Sequence, residues 1–224
     1  MATTVTTAGR AAVGESNALT WLTGWIRSHK QVATYLAVAL VVALGLFAWS
    51  FLTAKTAERS AGRQIAQARL ALDSKNYPLA ASVLSQVVEN FSGTHAAQEA
   101  SILLAQARLA QGQTQQAIDV LQRSAPKADK YFRAQSYALL GAAYENALRP
   151  KEAATAYETA AAAALYPFLR AQFLSDAGRA WLAAGDTAKA LAVYRTIAEK
   201  LDSTTAAGEA KVRLGELTKG SGHP

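Results

Sequence analysis

Residues 137–160 read YALLGAAYENALRPKEAATAYETA. Tyr137, Leu140, Gly141 and Tyr144 fall at spacings of three, one and three, so they share one stripe of a helix. The pair Arg149-Pro150 then breaks the helix. Ala153, Tyr157 and Ala160 place a second stripe on the helix that follows. The segment therefore predicts two antiparallel helices joined by a short turn, with small residues where the helices approach and large ones filling the seam.

The same arrangement recurs on both sides. One period later stand Leu174, Ala177, Gly178 and Trp181, then Ala190, Tyr194 and Ile197. One period earlier stand Leu104, Ala105 and Leu109, then Ala117 and Leu121; before those come Ala68, Ala71, then Ala80, Leu84 and Val87. The anchoring alanines 80, 117, 153 and 190 are 37, 36 and 37 residues apart. Turn signals fall at matching offsets: Lys75-Asn76-Tyr77, Gly112-Gln113, Arg149-Pro150 and Gly185-Asp186 within the pairs, with Pro126 and Pro167 between them. Leu214-Gly215 restarts the pattern and predicts a capping helix near 205–219. This resembles the tetratricopeptide repeat. The resemblance implies an all-α fold, a solenoid of about four helix pairs plus the capping helix, over residues 55–219. No pair can bury its apolar face alone, so stacking stabilises the array.

Upstream, residues 32–54 (VATYLAVALVVALGLFAWSFLTA) contain no charge. Eleven are Leu, Val or Phe, which sum to roughly −5 kcal/mol on an insertion scale. A helix of this length spans roughly 35 Å, against a hydrocarbon core of ~30 Å. Residues 31–54 are thus expected to form a transmembrane anchor. The apolar run is longer than that of a cleaved signal peptide. Residues 16–30, with Leu19, Leu22, Trp25 and Ile26 on one face, are expected to form an amphipathic helix at the membrane interface. Trp21, Trp25, Tyr35 and Trp49 are the expected membrane-interface residues. Residues 1–15 and 220–224 are expected to be disordered tails. Between residues 32 and 73 there is no Pro, and Gly occurs only at 45 and 62. The first repeat helix is therefore expected to continue the anchor directly, with Gly62 the place for a bend.

The 224 residues carry 23 Lys and Arg against 16 Asp and Glu, a net charge of +7. The surplus is +2 over residues 1–54 and +5 over 55–224, spread rather than clustered, so nucleic acid is not an expected partner. Without Cys, disulfides, thiolate catalysis and a lipid-modified N-terminal Cys are excluded. His29, His95 and His223 are far apart, and no Gly-rich phosphate loop occurs. No catalytic, cofactor-binding or metal-binding residue is nominated, and no small-molecule substrate is expected. Tyr137, Tyr144, Tyr157, Trp181 and Tyr194 sit at core positions of the repeat.

Binding remains. The inward offsets of the first helices give Ile65, Arg69 and Leu72; Glu99, Ile102 and Gln106; Gln135, Ala138, Ala142 and Glu145; and Gln172, Ser175, Arg179 and Leu182. Arg69, Glu99, Gln106, Gln135, Glu145, Gln172 and Arg179 are the expected partner-binding polar residues of this concave face. Only Arg69 and Arg179 are basic, so a clamp for a chaperone's C-terminal carboxylate is not expected.

The organisation as a whole resembles the YfgM-like bacterial proteins. The features that carry it are the Trp-bearing amphipathic stretch, one anchor and a basic exit at Lys55, Arg59 and Arg63. Repeats of the form Asn76-Tyr77-x-x-Ala80 and Leu109-Ala110-x-Gly112-x-x-x-x-Ala117-Ile118 follow. In that family one inner-membrane anchor carries a periplasmic repeat domain associated with the Sec translocon and periplasmic chaperones. The resemblance implies a bacterial inner-membrane location, single-pass, with the C-terminal domain in the periplasm. The flanking charges, Arg27 and Lys30 against Lys55, Arg59, Arg63 and Arg69, lean the other way. Residues 77–117 also resemble repeats of outer-membrane assembly lipoproteins and of the Tol-Pal accessory protein, but the absent Cys and the long anchor argue against both. The expected function is a non-catalytic scaffold between translocon and chaperones. The alternatives are a structural accessory subunit of a large membrane complex and a cytoplasm-facing adaptor.

Overall fold

A computed structural model describes Trp25 and residues 29–218 of the chain. The expected tails, the 16–30 helix other than Trp25, His29 and Lys30, and Trp21 lie outside the described residues. Two compact units divide the chain, Met1–Lys55 and Thr56–Pro224.

Helix α1 runs Lys30–Asp73, through both Gly45 and Gly62. It is long and apolar enough to span a membrane, and none of its apolar window is buried. Leu40, Phe47 and Trp49 are 61%, 70% and 71% exposed. Two hydroxyls here bond to their own helix: Ser50 Oγ donates to Phe47 O at 2.8 Å and Thr53 Oγ1 to Trp49 O at 3.0 Å. Each such bond lowers the cost of placing a hydroxyl in an apolar medium.

The second unit is all helix among the described residues. After the C-terminal part of α1 come α2 (Tyr77–Asn90), α3 (His95–Ala110) and α4 (Thr114–Ser124). A short 3-10 turn, Ala125–Lys127, leads to α5 (Arg133–Asn146) and α6 (Pro150–Ala163). Then come α7 (Pro167–Ala183), α8 (Thr187–Lys200) and α9 (Thr205–Leu217). These make four helix pairs and a capping helix, the solenoid the repeat pattern implies.

Each pair turns the same way. Lys75, Gly112, Leu148 and Gly185 have φ of 58°, 73°, 57° and 77°, the left-handed conformation. At each, the next residue's N–H closes back five residues: Asn76 to Ala71 O, Gln113 to Arg108 O, Arg149 to Tyr144 O and Asp186 to Trp181 O, at 2.7–3.0 Å. This is the Schellman closure, which satisfies the last carbonyls of the first helix. Asn76 and Asp186 then cap the second helix, accepting from Leu79 N and Lys189 N.

The anchoring alanines 80, 117, 153 and 190 are all fully buried. So are Ala68 and Ala105, with Gly141 and Gly178 buried at the equivalent positions. A Cβ at Gly141 would lie 2.8 Å from the Tyr157 ring, and one at Gly178 2.7 Å from that of Tyr194. Only a residue without a side chain admits a tyrosine there. In the first two repeats, alanine at the same place accompanies buried Leu84 and Leu121. The core forms two clusters that share α3. Ala96, Ala100, Leu104 and Ala107 pack with α1 and α2, whereas Ala105 packs with α4 and the helices beyond it.

Candidate binding surfaces of the repeat array

The first helix of each repeat supplies the expected concave face. Its polar residues meet across successive repeats. Arg69 of α1 pairs with Glu99 of α3 at 2.5 Å. Arg179 of α7 donates to Glu145 of α5 at 2.9 Å and to Asp176 of its own helix at 3.0 Å. The other oxygen of Glu145 accepts the Tyr157 hydroxyl at 2.9 Å. Burial, reinforced by this bond to a carboxylate, raises the Tyr157 hydroxyl above its ordinary range. Burial works against the charge of Arg179, but its bonds to Asp176 and Glu145 outweigh that and hold it more firmly protonated. Gln106, Gln135 and Gln172 are exposed.

Ile65 and Ile102 differ from the expectation. They are 4% and 3% exposed, so they belong to the interior rather than to an accessible face. Each stands three residues before a fully buried alanine, Ala68 or Ala105, and spacing of three keeps a side chain on the same helical stripe. Ala138 and Ser175, at the equivalent positions, are half-buried.

At the C-terminal end these residues do converge. Gln172, Ser175, Arg179 and Leu182 line a groove of about 620 Å³ together with Thr205, Glu209 and Arg213 of α9. The volume lies in the ~300–1,000 Å³ range of ligand pockets. Its rim carries both signs of charge. Arg213, bonded to Glu216 at 3.0 Å, is raised further above its ordinary value chiefly by that bond. The inward offsets of the first helices leave out α9, although the register contains it: Glu209 lies 37 residues after Gln172, one period on.

The aromatics expected at the membrane interface are well separated from this surface in sequence. Tyr35 and Trp49 are 75% and 71% exposed. Trp25 stacks on His29 with ring centroids 5.4 Å apart. His95 opens α3, where Thr94 caps the helix by accepting from Ala97 N at 3.0 Å. Its Nδ1 lies 2.7 Å from Asp129. Among the described residues, no three His, Asp or Glu side chains come together as metal ligands.

Comparison with known proteins agrees with this geometry. Residues 65–132, the first two repeats, match the tetratricopeptide repeat family. A Podosopora anserina chain of kinesin light chain type with nearly identical TPR-like repeats shares the fold. It has 20% sequence identity and a TM-score of 0.57, over 73% of this chain and 87% of that one. A single-substitution variant of that protein matches equally well. No curated protein sequence matches the chain.

Proposed function

We propose that this chain is a single-pass protein of the bacterial inner membrane, of the YfgM-like type. Its repeat array faces the periplasm and works without catalysis as a docking scaffold between the Sec translocon and periplasmic chaperones. The observation that carries the reading is covalent continuity. One chain joins a helix whose apolar window has no buried residue to a repeat array whose fold implies protein partners. The apolar helix holds the chain in the bilayer and meets membrane-embedded partners, with Tyr35 and Trp49 at the headgroup layers and Trp21 and Trp25 on the interfacial helix. The groove lined by Gln172, Arg179 and Glu209 receives the soluble partner. Arg69, Glu99, Gln106, Gln135 and Glu145 extend that face along the array. Affinity there comes from a few well-packed contacts within a larger polar rim.

The test is photo-crosslinking in cells from two positions, Tyr35 and Gln172. Translocon subunits are expected from the first and periplasmic chaperones from the second, with the repeats cleaved by added protease in spheroplasts but not in intact cells. Recovery of only cytoplasmic proteins from Gln172, or repeats that resist protease in spheroplasts, overturns the reading.

A further inference from the structure

The paired charges of the concave face have a counterpart elsewhere that is not paired. A cleft of about 550 Å³ is lined by residues of α2, α3, α4 and the 3-10 turn, away from the residues assigned above to partner binding. Three cations line it: Arg108, Arg123 and Lys127. The single carboxylate there, Glu89, already accepts from Ser85 Oγ at 3.3 Å. Among the described residues, none of the three cations is in an ion pair, whereas Arg69, Arg149, Arg179, Lys189 and Arg213 all are.

Among the described residues, two donors in this cleft are buried and lack a protein acceptor, Arg108 Nε and Ser124 Oγ. The Arg108 guanidinium is held on one side only. Its Nη1 donates to Gln113 Oε1 at 3.0 Å and to Gln116 Oε1. Both partners are neutral amides, so they orient the group without cancelling its charge. Among the described residues Nη2 makes no hydrogen bond and is not buried, so a carboxylate can reach it; a small side-chain shift that also uncovers the buried Nε completes the side-on geometry of two parallel hydrogen bonds. A buried donor left without an acceptor is costly, and an entering anion relieves that cost. Val88, Leu104 and Val120 add an apolar wall, so the complementary ligand brings carbon as well as charge.

We propose that this cleft is a second docking site, which takes an acidic peptide segment of a partner protein. One Asp or Glu carboxylate lies on the Arg108 guanidinium, with Arg123 and Lys127 at the rim and a neighbouring apolar side chain against Val88 and Val120. The Arg108 fork supplies the recognition, and the two rim cations steer the approach and make it salt-sensitive.

The test uses the full chain in a neutral maltoside detergent and a fluorescein-labelled peptide of alternating Glu and Leu, read by anisotropy. The peptide is expected to bind, to be released as salt is raised, and to fail when its Glu residues are replaced by Gln. Arg108→Gln is expected to weaken binding at least tenfold. Arg123→Gln with Lys127→Gln, on exposed side chains that leave folding intact, is expected to weaken it similarly. Arg195→Gln, at an exposed cation of α8 that lines neither the cleft nor the groove at α7 and α9, is expected to change nothing, which separates recognition in this cleft from the general surplus of positive charge. The proposal is overturned if the wild-type chain does not bind the acidic peptide, or if the double variant binds it as tightly as the parent. It is equally overturned if phosphatidylglycerol added to the micelles displaces the peptide through Arg108, because the cleft is then a lipid headgroup site.

Discussion

Individual residues of this array answer one another across the helix seam. Where the first helix offers alanine, as at Ala68 and Ala105, the second contributes leucine, Leu84 and Leu121, all fully buried. Where it offers Gly141 or Gly178, the second contributes Tyr157 or Tyr194, 4% and 2% exposed. Volume is conserved although no residue is. Gly141→Ala should gain ~1 kcal/mol of helix propensity and lose ~1–3 to overpacking. The Tyr157 ring cannot retreat, because it is buried and its hydroxyl is bonded to Glu145, so the net loss should be about 1–2 kcal/mol. Combining it with Tyr157→Leu restores the solution used by the first two repeats. Chemical denaturation should then show a double variant less destabilised than the two single losses added together. Strict additivity would mean that the two positions do not share a seam. The left-handed turn positions give a second expectation. Leu148 is 89% exposed and has no packing to lose, yet it holds φ at 57°. Leu148→Gly should raise stability by roughly 0.5–1 kcal/mol, and Gly112→Ala should lower it by a similar amount. Thermal melts of the two variants check both signs.

At the scale of helices, what the sequence reveals is what is local. The turns were legible because Gly112, Gly185, Pro150 and Asn76 act on their own neighbours. The pairing of helices was legible because Ala80, Ala117, Ala153 and Ala190 mark close approach at a fixed period. Tertiary capping was not. Glu58 of α1 accepts from His95 N and Ala96 N at 3.1 and 2.8 Å, neutralising the start of α3 from 37 residues away. Nothing in the spacing of Glu58 and His95 pairs them before the fold does. Helical offset takes in Ile65 and Ile102, which the fold buries, for a related reason: it gives direction but not the depth of the neighbouring helix. The cleft around Arg108 was invisible in the sequence, since three scattered cations become a cluster only when α3 and α4 pack. The α8 cap is local and its consequence can be measured. The Asp186 carboxylate sits below its ordinary range, first because it accepts the Lys189 N–H and further through the Lys189 side chain. A depressed carboxylate contributes stability that is complete above its unfolded value of ~3.9 and disappears as pH falls below that. Asp186→Asn keeps a cap acceptor but does not titrate. Its melting temperature should therefore fall less than that of the parent between about pH 5 and pH 2, and parallel curves would show that the charge of Asp186 contributes nothing.

For the repeat array as a whole, the question is whether it unfolds as one body. In a compact domain most core residues belong to one contiguous cluster, and damage anywhere weakens everything. Here each pair touches its neighbours, and the buried residues separate into two clusters that meet in α3. Stability should then be nearly a sum over repeats and their interfaces, so damage should stay close to where it is made. Leu84 and Ile197 are both fully buried, one in each cluster. Truncation of either to alanine should cost ~2–5 kcal/mol. Leu84→Ala should speed amide exchange in α2 and α3 while the amides of α7, α8 and α9 keep their protection, and Ile197→Ala should do the reverse. Equal acceleration along the whole array in both variants would mean a single cooperative core. A groove at α7–α9 and a cleft at α2–α4 could then not be occupied independently, because ordering one would order the other. If damage stays local, two partners can be held at once by one chain, and the coupling between them is set by how well α3 packs into both clusters.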